Sequence, residues 1–275
     1  MKSLTNLAMA LCLLAPCAQT AMAQNDDAPL VPLPSVEDFT QGQDGFSVGL
    51  GLGLEYESAY EGSDEFGFEV SPAGAVQWRR GDDLVYFAGE ALGWRGLRWD
   101  TWLFDAAIAF DEGRAESDSD DGRLDGLGDG QESTEIVLKA RHALTADWRY
   151  WLDGRVVASD KGTLGLLGVG RRFGAQSDGS GSDISLVAVF NDGERANRDF
   201  GINAAQSAAS GLTAIDMGGG FRSIGVNYTF RNVINDHWQL FGEVLYEHFG
   251  NDVTRSPITR EDYEAEVGVG FVYTF

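Results

Sequence analysis

The sequence predicts an all-β chain: a transmembrane antiparallel β-barrel of the bacterial outer-membrane type, with ten to twelve strands. Three observations carry this expectation. The chain ends on a strand-like stretch in which Tyr263, Ala265, Val267, Val269, Phe271, Tyr273 and Phe275 share one face. Glu264, Glu266, Gly268, Gly270 and Thr274 share the other, broken only by Val272. A barrel strand has this pattern because one face meets lipid and the other the lumen. The second observation is an export signal. Lys2 is followed by an apolar run over 7–14 and the small-residue site Ala21-Met22-Ala23, which predicts a signal peptide over 1–23, cleaved after Ala23. The third is that no later run approaches the roughly 18 apolar residues a spanning helix needs. A chain that enters a bilayer without such helices must close its backbone hydrogen bonds in a barrel.

Taken in order, 24–45 is acidic, proline-bearing and aperiodic, and is expected to be a flexible periplasmic segment. The barrel is expected over 46–275. Period-2 alternation begins with Phe46, Val48, Leu50, Leu52, Leu54 and Tyr56 against Ser47, Gly49, Gly51, Gly53, Glu55 and Glu57. Further candidate strands cover 66–78, 84–94, 99–110, 134–144, 148–159, 164–173, 183–190, 217–230, 237–249 and 263–275. These are eleven, whereas a bacterial single-chain barrel has an even number. The alternation of long and short connections is sound back from the C-terminus, so the miscount is expected before residue 99, where Pro72 interrupts a candidate strand. Short turns at 145–147 and 231–236 are expected in the periplasm. Long loops at 111–133, 191–216 and 250–262, with the tight 159–163, are expected outside. Trp148, Tyr228, Phe230 and Trp238 flank the short turns, as an interfacial girdle requires.

Composition narrows the chemistry. Cys12 and Cys17, the chain's two cysteines, both lie in the signal peptide, so neither a disulfide framework nor a thiolate is expected after export. A lipoprotein is disfavoured because Pro16 precedes Cys17. The net charge of −23 becomes −24 once Lys2 is removed, which repels nucleic acid. No cofactor and no metal site are expected. The acidic loop (Asp111, Glu112, Glu116, Asp118, Asp120, Asp121, Asp125, Asp129) fails the calcium-loop template, since Ser117 and Ser119 fall at the first two ligand positions counted from Gly122. It reads as a solvated loop, with weak divalent-cation contact near lipopolysaccharide as the alternative. His142, His237 and His248 stand in no recognisable order with a serine and a carboxylate, so no catalytic residue is nominated and an enzyme is not expected.

The candidate lumen-lining residues are Glu55, Glu57, Glu135, Lys139, Arg141, Arg149, Asp153, Arg155, Glu243, Glu247, Glu264 and Glu266, with Glu69 and Asp105 in the same phase. They predict a salt-bridged plug of side chains, or a cation preference if water passes. Gly49, Gly51, Gly53, Gly268 and Gly270 leave one lumen wall bare, which either borders a pathway or receives bulky groups.

Several short motifs occur in a telling order: Tyr60-Glu61-Gly62-Ser63-Asp64, Arg123-Leu124-Asp125-Gly126-Leu127-Gly128-Asp129, Ser210-Gly211-Leu212, Ser256-Pro257 and the terminal Tyr273-Thr274-Phe275. On these the chain resembles the MipA/OmpV family across the expected barrel. The resemblance implies an outer-membrane barrel and, for some members, a scaffold that brings a lytic murein transglycosylase to a peptidoglycan synthase. Other members resemble porins or adhesins, and the resemblance carries no site residues. The expected function is therefore a scaffold for murein enzymes or envelope maintenance, in contact with outer-membrane lipid and lipopolysaccharide and present as a monomer. The alternative is a narrow porin-like channel for small, preferably cationic solutes. A barrel of this size is near the point where side chains fill the interior.

Overall fold

The computed structural model describes residues 43–275 apart from 90, 100, 112, 131 and 175–179. The expected signal peptide and almost all of the 24–45 segment lie outside the described residues. Among those described, twelve strands form one closed antiparallel barrel in which each strand pairs with its sequence neighbours and the first pairs with the last. The strands are β1 (Gly45–Ser58), β2 (Phe66–Arg80), β3 (Asp83–Ala88), β4 (Ala91–Trp99), β5 (Trp102–Asp111) and β6 (Ser133–Ala143). They continue as β7 (Tyr150–Ser159), β8 (Gly162–Phe173), β9 (Gly181–Asn191), β10 (Gly220–Val233), β11 (Trp238–Phe249) and β12 (Tyr263–Thr274).

The twelfth strand comes from the candidate at 84–94, which is two strands separated by a turn at Gly89. Gly89 has φ +54°, a left-handed conformation that favours glycine. Alternation could not show the break. Leu84 and Tyr86 are buried inside while Val85 and Phe87 are exposed outside, so both phases of β3 are apolar. Pro72 does not interrupt β2; it sits opposite Leu52 of β1, in the upper part of the strand that β3 does not reach.

The alternation sorts side chains as lipid and lumen require. Leu50, Leu52, Leu54, Val156, Leu186, Val226, Val244 and Val269 are exposed outward, while Ser185, Asn227, Gln239 and Glu247 are buried inward. Two aromatic belts bound the outer apolar surface, as barrels show at their interfaces. At the short-turn end Trp238 and His237 pack on Tyr273, Tyr273 on Phe275, and Trp102 on His142. At the long-loop end Tyr56 packs on Phe66 and Phe68, Phe190 on Phe221, and Tyr246 on Tyr263.

Some inward glycines seat neighbouring groups. A Cβ at Gly93 would enter the Tyr86 ring, one at Gly170 the Trp151 ring, and one at Gly270 the Phe241 ring. A Cβ at Gly51 would strike the backbone of Phe271 on the neighbouring strand. Glycine thus lets adjacent strands approach and lets large inward aromatics lie flat over the wall, a device that pins register.

Candidate functional site

The long loops do not stand free. They fold over the barrel mouth as a cap with its own core, built from Tyr60, Leu124, Leu127, Ala196, Phe200, Ile202, Met217, Phe249, Val253 and Ile258. Two helices sit within the loop after β9: α1 (Gly193–Phe200) and α2 (Ala204–Ser210). Each starts where an Asx side chain satisfies orphan backbone donors. Asp192 accepts from the amide of Arg195, and Asn203 accepts from those of Ala205 and Gln206. The loop after β5 packs on α2 through Gly126, where a Cβ would meet the Ala209–Ser210 backbone, and through the Gln206 amide, which donates to the Leu127 carbonyl at 2.7 Å. Ser256 donates to the Phe200 carbonyl at 2.6 Å, Tyr60 to the Ile258 carbonyl, and Arg123 to the Pro257 carbonyl. Four separate loops are thereby tied together.

Under the cap lies a buried ion-pair network. Arg195 meets Glu135 at 2.6 Å, Asp199 at 3.0 Å and Asp111 at 3.3 Å. Arg198 grips both oxygens of Asp111 at 2.5 Å. Arg222 binds Asp199 at 2.9 Å and also Glu61. Three guanidiniums thus face four carboxylates. Burial alone would lower the affinity of Arg195 for its proton; Asp199, Glu135 and Asp111 outweigh that and hold it more tightly than usual. Arg222 faces inward beside Ser223 because the β9–β10 register shifts between Phe221 and Ser223, a bulge that re-aims a side chain.

Below this network part of the interior is apolar. Val137, Val157, Leu164, Leu166, Val187, Val189 and Leu245 form a buried cluster with Tyr86 and Ala107. Barrel interiors are ordinarily polar, and none of these apolar residues is among the expected lumen-lining set. Further toward the short-turn end charge returns. Asp105 accepts from Tyr86 at 2.8 Å and from Arg95 at 3.0 Å. Arg141 grips Asp153 at 2.6 and 2.9 Å with its guanidinium 3.8 Å from the Trp151 ring, and Arg172 grips Asp183 at 2.9 Å.

The candidate lumen residues fall into distinct places. Glu135 belongs to the network under the cap. Lys139 lies opposite Arg155, and Arg141 opposite Asp153, across β6 and β7. Glu55, Glu57, Glu69, Glu243, Glu247, Glu264 and Glu266 collect on the four adjacent strands β11, β12, β1 and β2, with Glu55 opposite Glu69 and Glu247 opposite Glu264. Ser71 donates to Glu55 at 2.7 Å, and Asn227 donates to Glu243. Arg149 departs from the set. It lies in the β6–β7 turn with its side chain 59% exposed and pairs with Asp147 at 3.3 Å, because β7 starts only at Tyr150. Arg195, Arg198 and Arg222 were missed: two sit on a helix inside a loop and one at a bulge, where period 2 fails.

Four other carboxylates of the acidic loop accept from the loop's own backbone. Asp118 accepts from the Ala115 amide, Glu116 from Gly128, Asp129 from Glu116, and Asp121 from Arg123. Among the described residues no group of three or more His, Cys, Asp or Glu is arranged to hold a metal ion.

Solved structures with similar folds include the COG4313 outer membrane channel from Pseudomonas putida F1, at 12% identity and TM-score 0.47, covering 85% of this chain and 96% of that one. A KdgM porin aligns at 10% identity and TM-score 0.41, covering 82% and 99%. An anion-selective porin from Comamonas acidovorans aligns at 9% identity and TM-score 0.37, covering 84% and 98%. No curated protein matches the sequence. The family model described as MltA-interacting protein MipA matches residues 50–275, which takes in the whole cap and nearly all of the barrel wall. This capped twelve-stranded outer-membrane barrel belongs to the MipA family.

Proposed function

We propose that this outer-membrane protein is a non-enzymatic scaffold that holds murein-processing enzymes at the periplasmic face. The observation that carries the reading is the cap. A mouth closed by a hydrophobic core and a buried ion network suits a barrel used as an anchor rather than a pore. The family description, which names an interaction with MltA, supplies the class of partner. The short turns and the 24–45 segment are the surfaces offered to the periplasm, with outer-membrane lipid and lipopolysaccharide around the belt and a single copy as the working unit. Pull-down from envelope extract tests this. Full-length protein is expected to retain a lytic transglycosylase and a peptidoglycan synthase, and deletion of 24–45 is expected to weaken that retention. Failure of the full chain to retain any murein enzyme would overturn the scaffold.

One observation favours a second reading, a narrow cation-preferring path. The carboxylates on β11, β12, β1 and β2 form one acidic inner wall. Rings of carboxylates select cations, so an opened cap would yield a cation-selective reversal potential. Anion preference would reject it.

A further inference from the structure

The outward faces of the strands carry almost no charge. Among the described side chains there, the arginines, lysines and carboxylates are Arg80, Asp83 and Arg171. Arg80 ends β2 and Asp83 begins β3, opposite each other across the turn. Arg171 differs, because β8 runs on past it to Phe173. Its phase follows from its neighbours. Leu167 and Val169 are exposed outward, while Gly170 lies under the inward Trp151 ring and Arg172 grips Asp183 inside. Arg171 stands at the edge of the lipid-facing band. The pair next to it on the loop side is Val169 opposite Leu152, and Leu152 lies opposite His142, which packs on Trp102 of the short-turn belt.

A cation on the lipid face is costly at the bilayer midplane and tolerated near the interface. Arg171 lays its guanidinium over two rings, 4.4 Å from the centre of Phe173 and 5.5 Å from that of Tyr150, its cross-strand partner. Ring faces attract a planar cation but supply no oxygen acceptor for its N–H groups. Among the described residues no carboxylate or carbonyl takes them: Asp147 is engaged with Arg149, and Asp183 with Arg172. The Tyr150 hydroxyl likewise has no partner among the described residues. The backbone beneath is fixed, since the Tyr150 amide donates to the Thr145 hydroxyl at 3.2 Å and its carbonyl accepts from the Leu144 amide at 2.8 Å. A guanidinium and a phenol hydroxyl thus stand side by side on one exposed outward patch.

We propose that Arg171 and Tyr150 form a headgroup site for an anionic phospholipid of the leaflet at the short-turn end. The guanidinium donates to the phosphodiester, and the Tyr150 hydroxyl donates to a second oxygen of the same group. Planar, paired N–H donors match a phosphate better than a point charge does, which is why arginine suits the position. The long apolar stem of Arg171 carries its charge to the interface, and the acyl chains of the bound lipid lie on the exposed Leu152, Leu167 and Val169. A phosphatidylglycerol brings no cation against the guanidinium, whereas a phosphatidylcholine does, so the site favours the former. The inference goes beyond the scaffold reading and does not depend on it.

The test is native mass spectrometry of the full-length protein released from detergent micelles, titrated with phosphatidylglycerol or with phosphatidylcholine of the same acyl chains. The native protein is expected to retain phosphatidylglycerol several-fold more than phosphatidylcholine. Arg171→Gln is expected to abolish that preference and Arg80→Gln to keep it, each variant first shown to have the heat-modifiable migration of a folded barrel. Equal retention of the two lipids by the native protein would overturn the site, whatever the variants do. So would a preference that survives in folded Arg171→Gln, or one that falls equally in Arg80→Gln and so reflects general surface charge. Displacement of the bound lipid by millimolar inorganic phosphate would assign the guanidinium to a free anion and overturn the lipid site as well.

Discussion

Arg195 is the residue on which closure of the mouth turns. Its guanidinium is buried against Glu135, Asp111 and Asp199. Removing one partner of a buried ion pair leaves the others charged and desolvated, at a cost of about 3–5 kcal/mol. Arg195→Met is therefore expected to loosen the cap while the barrel stays folded, read as faster hydrogen exchange in α1 with strand protection retained; unchanged exchange in α1 would count against the network as the lock. At the outer surface Asp121 accepts hydrogen bonds from Ser119 and from the Arg123 amide, which hold its carboxyl below the usual range. A depressed folded-state value means that its stabilisation is complete above the unfolded value, about pH 3.9, and is lost as pH falls through the folded one. Protection of the Arg123 amide, taken relative to its intrinsic exchange rate at each pH, is expected to be level from neutral pH down to about 4 and to fall below it. A fall already at pH 6 would assign the anchor to another group.

At the scale of elements, the packing of glycine under aromatic rings fixes how closely strands approach. A methyl at Gly270 would press on Phe241 and on the Leu52 carbonyl. Gly270→Ala is expected to destabilise the barrel by about 1–3 kcal/mol, as overpacking does, seen as a lower midpoint for the heat-modified shift on gels. No shift would mean that Phe241 is free to move. Most strands were legible in the sequence because lipid on one side and lumen on the other impose a strict two-residue period. Legibility failed where that contrast failed. Tyr86 and Leu84 face inward beside outward Val85 and Phe87, so the β3–β4 turn was hidden within one apolar run. The interior apolar cluster was missed for a related reason: Val137, Leu164 and Val187 face inward, but period 2 alone does not say which of two apolar faces is wet. The cap was the least legible part. The motifs Tyr60–Asp64, Arg123–Asp129 and Ser256-Pro257 were visible as strings, yet their meeting over the mouth depends on the barrel bringing distant loops together.

The whole molecule is a barrel closed at one end by a packed cap, filled in its middle partly by apolar side chains and partly by charged ones, and bound to the envelope by an apolar belt with aromatic rims. Scaffold and channel share that architecture and differ in whether ions cross it. The direct measurement is planar-bilayer conductance of the native protein beside Arg195→Met. The native barrel is expected to be silent, and the variant to show intermittent openings with cation preference from the acidic wall on β11, β12, β1 and β2. Steady conductance through the native protein, unchanged by loss of Arg195, would contradict closure and, with it, the case for a scaffold.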